Sequence, residues 1–569
     1  MLAKPRKHVK IGLAGKACAS SLIANIALPN GAWITNTYDN NGRMLGTWLT
    51  NSTSNIDSSV YTYNVGNQRT QVTRTAENTA AYTYDPIGEV IADQASEVSG
   101  GATRYNEQLR YVFDPVGNLY YRTNNALIVN FTVNSDNELT ANTNGGRLTV
   151  MGTTTSVATN VTVNSSNAAP YGDATFAATN MPIATNYTAI AADKYGRHST
   201  NTVNVNITTN TTYQYDGNGN LTNDGLRSFA YDNENQLLQV WVTNQWLSQF
   251  TYDGKMRRRI RQEYTWQNSG WVQTNQVYYV YDGNVVIQER DINNLPSTTY
   301  TRGLDLSSLQ GAGGIGGLLA MTLNTASGPA SSNSMYYHSD GNGNVTMLLN
   351  PWQYIVAKYL YDAFGNTLSS AGSMAQQNLY RFSSKEVHPN SGLIYYLYRY
   401  YDPNLQRWPN RDPLEESGFQ LLGFSVGNST AHLARPVLFG CASGNLYEFA
   451  RNAPTRLYDP HGLADNDLCQ ALEDKLAYYA NIGDEENWLK TFATYQMLCG
   501  FPPGSPPKIP LPGCPQDPYR GKPFNPANNM SGLGDFCRKY PGVCVGVPVA
   551  VGIGILGFFT GGLGWLLYA

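Results

Sequence analysis

The sequence predicts a mainly β protein: a spiral or shell of stacked β-hairpins, an inserted small β-sandwich, and a short α-helical, hydrophobic C-terminal tail. Three observations predict this fold class. A Tyr-Asp pair followed by a turn rich in Gly and Asn recurs between residues 38 and 366, with one interruption. The chain contains 40 Tyr, which favours strands, and 54 Gly, which favours turns. Only 14% of the residues are charged and the net charge is −3, which argues against a nucleic-acid-binding surface.

The N-terminal segment, residues 1–32, is basic at its start and then apolar between Ser21 and Leu28. No clean small-residue cleavage site follows the apolar run. Two interpretations stay open for this segment: a weak secretory signal, or a truncated start.

Tyr-Asp repeats are predicted over 33–136 and 209–380. Asp-Gly and Asn-Gly sequences supply the positive φ that tight hairpin turns need. A single hairpin cannot bury its apolar face, so the hairpins are expected to stack into a long, curling sheet. We interpret the repeat aspartates as turn residues and not as catalytic groups. Examples are Tyr38-Asp39, Tyr84-Asp85, Tyr215-Asp216, Tyr231-Asp232, Tyr252-Asp253, Tyr281-Asp282 and Tyr361-Asp362.

The Tyr-Asp pattern is absent from residues 137–208, which are rich in Thr, Val, Asn and Ala. Several short alternating runs in this stretch predict a small β-sandwich, similar to the immunoglobulin-like inserts of bacterial surface proteins. Because the repeat resumes afterwards, the insert is expected to project outward. A spacer and a domain that binds a cell-surface ligand are the two roles considered.

Two linked motifs close the repeat region. The first runs from Arg399-Tyr400-Tyr401-Asp402-Pro403 to Arg411-Asp412-Pro413, and the second runs from Pro454 to Asp459-Pro460-His461-Gly462-Leu463. Together they resemble the Rhs/YD-repeat family of polymorphic-toxin-like proteins, and residues 381–463 resemble its RHS repeat-associated core. The resemblance implies a hollow β-shell around a variable C-terminal polypeptide. It also implies that the shell cuts itself from that polypeptide at the closing motif.

The resemblance implies aspartyl autoproteolysis between Leu463 and Ala464. This chemistry needs two carboxyl groups, one as acid and one as base. The candidates are Asp412 and Asp459, with Arg411 as the orienting cation. The alternative is that both Asp-Pro pairs are turns that seal the end of the shell. The link between the two aspartates is longer than the family pattern implies, because 418–443 reads as an insertion.

The C-terminal tail, residues 464–569, differs from the repeats. It begins with two predicted helices that place Cys469 near Cys499, so a disulfide between them is expected. The tail contains no His, which excludes His-dependent nucleases and His-containing zinc sites there. Residues 543–569 carry no charge and are long enough to span a bilayer, so they are a candidate transmembrane segment. The other interpretation is an apolar segment covered by the shell.

No cofactor or metal site is predicted. Residues 311–316 match the G-x-G-x-x-G dinucleotide pattern, but no βαβ unit surrounds them.

The predicted function is a secreted or cell-surface, membrane-associated Rhs-type shell that encapsulates or presents its C-terminal polypeptide in bacterial competition. The expected partners are the tail as internal cargo, an immunity protein, a membrane and a ligand of the insert. At most, autoproteolysis is its enzymatic activity. The alternatives are a non-enzymatic adhesion or display protein anchored by its C-terminal segment, and a degenerate fragment.

Overall fold

The computed structural model describes residues 10–13, 22–98, 100–205, 207–306, 314–324, 333–413 and 445–462. These residues form a mainly β structure of stacked antiparallel hairpins, which confirms the predicted fold class. The tail lies outside the described residues, and with it the predicted helices, Cys469, Cys499 and the candidate segment 543–569. Within the described part of the chain, no helix is long and apolar enough to cross a membrane.

The first long sheet contains the N-terminal repeats in sequence order. Its strands are β1 (Lys10–Leu13), β2 (Ile23–Ala27), β3 (Trp33–Tyr38), β4 (Met44–Thr50), β5 (Asn55–Tyr63), β6 (Arg69–Arg74), β7 (Thr79–Tyr84), β8 (Val90–Ser96), β9 (Thr103–Phe113), β10 (Leu119–Asn124), β11 (Leu127–Val133), β12 (Leu139–Gly146) and, after the insert, β19 (Asn210–Thr212).

The second long sheet contains the later repeats, again in sequence order. Its strands are β20 (Gln214–Tyr215), β21 (Leu221–Asn223), β22 (Ser228–Tyr231), β23 (Leu237–Val242), β24 (Trp246–Tyr252), β25 (Arg258–Gln267), β26 (Gly270–Asp282), β27 (Val285–Arg290), β28 (Pro296–Arg302), β29 (Leu318–Leu323), β30 (Ser334–Ser339), β31 (Val345–Leu349), β32 (Ile355–Tyr361) and β33 (Thr367–Ala371).

The tyrosine and the aspartate of each repeat have separate roles. The Tyr84 hydroxyl donates to the carbonyl of Arg69 at 2.6 Å, and the Tyr252 hydroxyl donates to the carbonyl of Leu237 at 2.7 Å. Each tyrosine thereby fastens its own hairpin to the preceding one. The aspartate that follows accepts backbone N–H groups within its turn, as Asp85 does from Ile87 at 3.0 Å. Such side-chain-to-backbone bonds are the reason that Asp favours turns.

All of these turns lie at one end of the sheets. Successive strands are antiparallel neighbours, so every second turn of each sheet is at the same end. The Tyr-Asp turns occupy those positions, for example Asp85 between β7 and β8 and Asp232 between β22 and β23. We call this end of the molecule the Asp-turn end.

The insert forms a separate β unit that begins later than predicted. Residues 139–146 form β12 of the first sheet, so the predicted boundary at 137 is too early. The unit contains β13 (Leu148–Thr153), β14 (Asn160–Val163), β15 (Ser166–Pro170), β16 (Thr175–Met181), β17 (Asn186–Ala192) and β18 (His198–Asn204), in the order β13-β16-β15-β14-β17-β18. An immunoglobulin-like topology is not confirmed.

The insert packs on the first sheet through a buried cation. The Arg104 side chain is fully buried and contacts Asp173 of the insert at 2.8 Å and Glu107 of its own strand at 3.1 Å. The Tyr171 hydroxyl also accepts the backbone N–H of Tyr105 at 2.7 Å. The insert therefore lies against the sheet at this contact, and does not simply project from a connecting loop.

Residues 381–413 and 445–462, which belong to the predicted repeat-associated core, lie between the two long sheets. We call these described residues the core. They include two 3-10 turns, Phe382–Ser384 and Ala450–Asn452, and three short strands, β34 (Glu386–Val387), β35 (Ile394–Tyr395) and β36 (Tyr400–Tyr401). Because side chains alternate along a strand, Tyr395 and Tyr400 join an apolar cluster that includes strands of both sheets. Tyr396 and Tyr401 join a second cluster, with strands of the second sheet. The core therefore packs against apolar side chains of both long sheets.

Candidate active site

The closing segment, residues 445–462, crosses the Asp-turn end and contacts both long sheets. Asn445 donates to Asn118 of the first sheet at 2.9 Å, and the Tyr447 hydroxyl donates to the carbonyl of Gly219 in the second at 2.8 Å. Asn342 donates to the carbonyl of Pro454 at 2.9 Å. The repeat turns thus provide the surface that holds the closing motif in place.

Arg399 is the centre of the candidate site. Its Nη2 lies 2.5 Å from Asp412 Oδ2 and 3.8 Å from Asp459 Oδ2. Its Nε donates to the carbonyl oxygen of Gly462, the residue that precedes Leu463. One guanidinium therefore contacts both predicted catalytic carboxylates and the last described carbonyl before the predicted cleavage bond.

The Arg399 side chain is held by packing as well as by charge. Its guanidinium carbon lies 4.2 Å from the ring centre of the buried Trp408, and its Nη1 donates to the carbonyl of Leu446 at 3.1 Å. Burial lowers the pKa of Arg399, and the neighbouring Asp412 and Asp459 oppose this effect. Arginine stays protonated in proteins, so the site keeps a fixed cation between two carboxyl groups.

Asp459 combines a turn with a contact to this cation. Its Oδ1 accepts the backbone N–H of His461 at 3.0 Å and of Gly462 at 2.6 Å, while Oδ2 faces Arg399. We call residues 459–462 the closing turn. Gly462 has φ of +76°, and a Cβ at this position would lie 3.1 Å from the backbone N of Arg399. The glycine of the motif is therefore required by both backbone conformation and space.

Arg411 lies away from the two carboxylates. Its Nε donates to the Tyr447 hydroxyl at 3.3 Å, and its Nη2 lies 3.6 Å from Glu138. Among the described residues, the cation that contacts both Asp412 and Asp459 is Arg399. In this geometry Arg399, and not Arg411, lies beside the two predicted carboxyl groups. The position of Arg399 at the head of its motif was visible in the sequence, but nothing in the sequence indicated which arginine would face the acids.

Two basic residues flank the closing turn. Lys385 Nζ donates to the carbonyl of Pro460 at 2.5 Å, and burial lowers the pKa of this lysine to about 7. Burial lowers the pKa of His461 to about 3, with Lys385 as a second cause, so the imidazole is neutral at physiological pH. The sequence motifs indicated neither residue as part of the site. Lys385 is remote in the sequence, and only the fold brings it to the closing turn.

The predicted cleavage bond joins Leu463 and Ala464, which both lie outside the described residues. Acid–base hydrolysis of a peptide bond needs two carboxyl groups, and the two predicted ones both lie beside the Arg399 guanidinium.

Similarity searches relate the chain to large bacterial proteins. No family model matches it. The chain is 29% identical over 253 residues to the tRNA3(Ser)-specific nuclease WapA of Bacillus spizizenii, covering 43% of this chain and 10% of the relative. It is 27% identical to the tRNA nuclease WapA of Bacillus subtilis strain 168, with the same coverage. The chain thus spans about a tenth of the length of these curated relatives.

The solved structures that partly match the chain include the crystal structure of TcdB2-TccC3-Cdc42. The sequence identity is 19% and the TM-score is 0.35, with 83% of this chain and 21% of that chain covered. A second is the Photorhabdus luminescens Tc holotoxin pore, with 18% identity, a TM-score of 0.34, and 78% and 20% of the two chains covered. The sequence similarity and the stacked hairpins together support a shell-like protein of the Rhs/YD-repeat type.

Proposed function

We propose that this protein is an Rhs-type repeat shell that encloses or presents residues 464–569 and separates from them by cleaving itself after Leu463. The observation that carries the proposal is the contact of Arg399 with Asp412, Asp459 and the carbonyl of Gly462. In the sequence, Gly462 is followed directly by Leu463 and the predicted cleavage bond.

The proposed reaction is hydrolysis of the Leu463–Ala464 peptide bond. One carboxyl group acts as base and accepts a proton from water as the water oxygen attacks the Leu463 carbonyl carbon. The other acts as acid and donates a proton to the departing nitrogen of Ala464. The products are a carboxylate on Leu463 and a free amino group on Ala464. Arg399 positions both acids and favours the ionised form of the base.

The proposed cargo is the C-terminal tail. The relatives named above are tRNA nucleases, which supports a role in delivering a toxic polypeptide in bacterial competition. The tail itself contains no His, whereas residues 543–569 are uncharged, so we propose a membrane-active cargo and not a His-dependent nuclease. A secreted or cell-surface location and a cognate immunity protein follow from this role.

A display role for the insert is the second candidate function. Every residue of β18 is exposed to solvent, and this strand is at the end of the insert's strand order. An exposed edge strand offers unpaired backbone groups to another chain. This observation favours binding of a cell-surface ligand by the insert, in addition to the shell function.

Enclosure of the tail is testable by limited proteolysis. The full-length protein should keep the tail associated with the shell after cleavage, so both fragments should elute together in size-exclusion chromatography. Trypsin should cut tail sites such as Lys475, Lys490 and Arg520 only slowly before denaturation. The isolated 464–569 fragment is the control, and it should be cut rapidly and should bind to liposomes. Equal cutting rates in the two samples would contradict enclosure, and an isolated fragment that stays in the aqueous phase would contradict a membrane-active cargo.

A further inference from the structure

Three consecutive carbonyl groups of the closing turn are held by three different donors of the core. Lys385 Nζ donates to Pro460 at 2.5 Å, and the Tyr398 backbone N–H donates to His461 at 3.1 Å. Arg399 Nε donates to Gly462. We call this set the carbonyl clamp. Each of the three residues 460–462 is bound through its carbonyl oxygen by a separate donor.

The three donors of the clamp respond differently to pH. A backbone N–H does not titrate near neutrality, and the guanidinium of Arg399 stays protonated. Lys385 differs, because burial lowers the pKa of its ammonium to about 7. The lysine is the donor of the clamp that changes charge in the physiological range.

The surroundings of Lys385 contain charges of both signs. Asp459 and Asp305 favour its protonated form, while Arg302 opposes it. The His461 imidazole is also near, in its neutral form, and Nζ lies 5.4 Å from the ring centre of Tyr396. The Lys385 residue is 7% exposed. A protonated lysine here attracts Asp459 while it binds the carbonyl of the next residue, so its charge and its hydrogen bond act on the same turn.

We propose that Lys385 is a positioning residue for self-cleavage: its ammonium group anchors the closing turn at Pro460, so that Asp459 and the Gly462 carbonyl stay on Arg399. This inference rests on the proposed cleavage. Loss of the proton replaces a charge-assisted hydrogen bond by a weaker neutral one. The cleavage rate should therefore fall as the pH rises through about 7, the value to which burial lowers the pKa of Lys385.

The kinetic test compares three full-length variants with the wild type between pH 6 and 9. Lys385→Met removes the charge and keeps the apolar stem, and Lys385→Arg keeps a charge that does not titrate. Lys255→Met removes an exposed lysine at the same end of the molecule. Each chain is produced by cell-free synthesis, shifted early to buffers of different pH, and its cleaved fraction is followed by gel and intact mass.

The expected result is a wild-type rate that falls at least tenfold between pH 6 and 9. Lys385→Met should be at least tenfold slower than wild type at pH 6 and nearly independent of pH. Lys385→Arg should cleave without the decline, and Lys255→Met should match the wild type. A Lys385→Met variant with the rate and pH profile of the wild type would overturn the inference.

A second measurement separates failure of this inference from failure of the proposed cleavage. Hydrogen exchange is measured for the amides of His461 and Gly462 in the uncut Asp412→Asn protein, with and without Lys385→Met. We expect at least tenfold faster exchange in the double variant, with unchanged exchange in the long sheets as evidence of folding. If the wild type stays uncut at every pH, cleavage is refuted, and the exchange rates still decide whether Lys385 anchors the turn. Unchanged exchange rates would refute the anchor.

Discussion

Repeat turns and the closing turn use the same aspartate geometry with different partners. In the repeat turn, Asp232 Oδ1 accepts the backbone N–H groups of Glu234 and Gln236, and Oδ2 accepts Gln236 Nε2, all at 2.9 Å. In the closing turn, Asp459 Oδ1 also accepts two backbone N–H groups, but Oδ2 faces Arg399 at 3.8 Å. The repeat turn is completed locally, whereas the closing turn depends on a residue far away in the sequence.

The same turn also occurs in the insert, outside the repeats. Asp193 accepts the N–H groups of Tyr195 and Arg197, and its second oxygen contacts the Arg197 side chain at 2.6 Å. This aspartate turn therefore forms in the insert as well as in the repeats of this chain. Asp459 differs in that the arginine facing its second oxygen, Arg399, is remote in the sequence and also contacts Asp412.

The largest expected effect is the loss of the shared cation. Arg399→Met leaves Asp412 and Asp459 buried without their contact to a guanidinium, and breaking a buried ion pair costs about 3–5 kcal/mol. We expect a marked drop in the urea midpoint and no self-cleavage. Arg257→Met is the matched control, because Arg257 pairs with Asp253 inside one repeat turn at 2.8 Å. That pair is more exposed, so its loss should cost less than about 1 kcal/mol. If both variants lose a similar amount of stability, the proposed difference between the closing turn and the repeat turns is wrong.

Asp93 provides a third environment: a buried carboxyl group that, among the described residues, has no cation at hydrogen-bond distance. Its Oδ2 accepts the N–H of Ala363 at 3.0 Å, and its Oδ1 has no hydrogen-bond partner among the described residues. Burial, Glu107 and Asp362 raise the pKa of Asp93 to about 8. The folded state therefore keeps a proton that the unfolded state loses above its pKa of 3.8. This contribution to stability is complete below pH 4 and is lost as the pH rises to about 8.

The Asp93→Asn variant removes this pH dependence and keeps an oxygen for the Ala363 N–H. The variant and the wild type should have the same free energy of unfolding near pH 4. By pH 8 the variant should be more stable by up to a few kcal/mol, because each unit of pKa difference between the folded and unfolded states corresponds to about 1.4 kcal/mol. Urea unfolding at both pH values checks this expectation. If the difference in free energy of unfolding between the variant and the wild type is the same at both pH values, Asp93 is ionised in the folded state.

The smallest effect is expected in a repeat turn. Asp232→Asn keeps an oxygen that accepts the N–H groups of the turn, so the free energy of unfolding should change by less than about 1 kcal/mol. Self-cleavage should be unaffected. A loss of several kcal/mol, measured in the same urea titrations, would mean that repeat aspartates carry a long-range role that the local geometry does not show.

The repeat fold could be predicted from sequence because its determinants are local. Tyr84 and Asp85 each act on their own or the adjacent hairpin, and a regular spacing reveals such contacts. Asp412 and Asp459 could be named as candidates, because a compound motif contains them. Arg399 and Lys385 could not be assigned, since their partners are set by how the core packs between the sheets. The start of the insert was missed because β12 has the Thr- and Asn-rich composition of the insert but pairs with the first sheet.

The most direct test of the account is the intact mass of the purified full-length protein beside three variants. The account predicts that wild type yields two fragments, ending at Leu463 and beginning at Ala464. Asp412→Asn and Asp459→Asn should remain uncut with unchanged folds, because each loses one half of the acid–base pair at little change in volume. Asp232→Asn, the same substitution in a repeat turn, should be cut like the wild type. An uncut wild type, or cleavage that persists in Asp412→Asn, would contradict the account and leave the closing motif as a structural seal or assign the acid elsewhere.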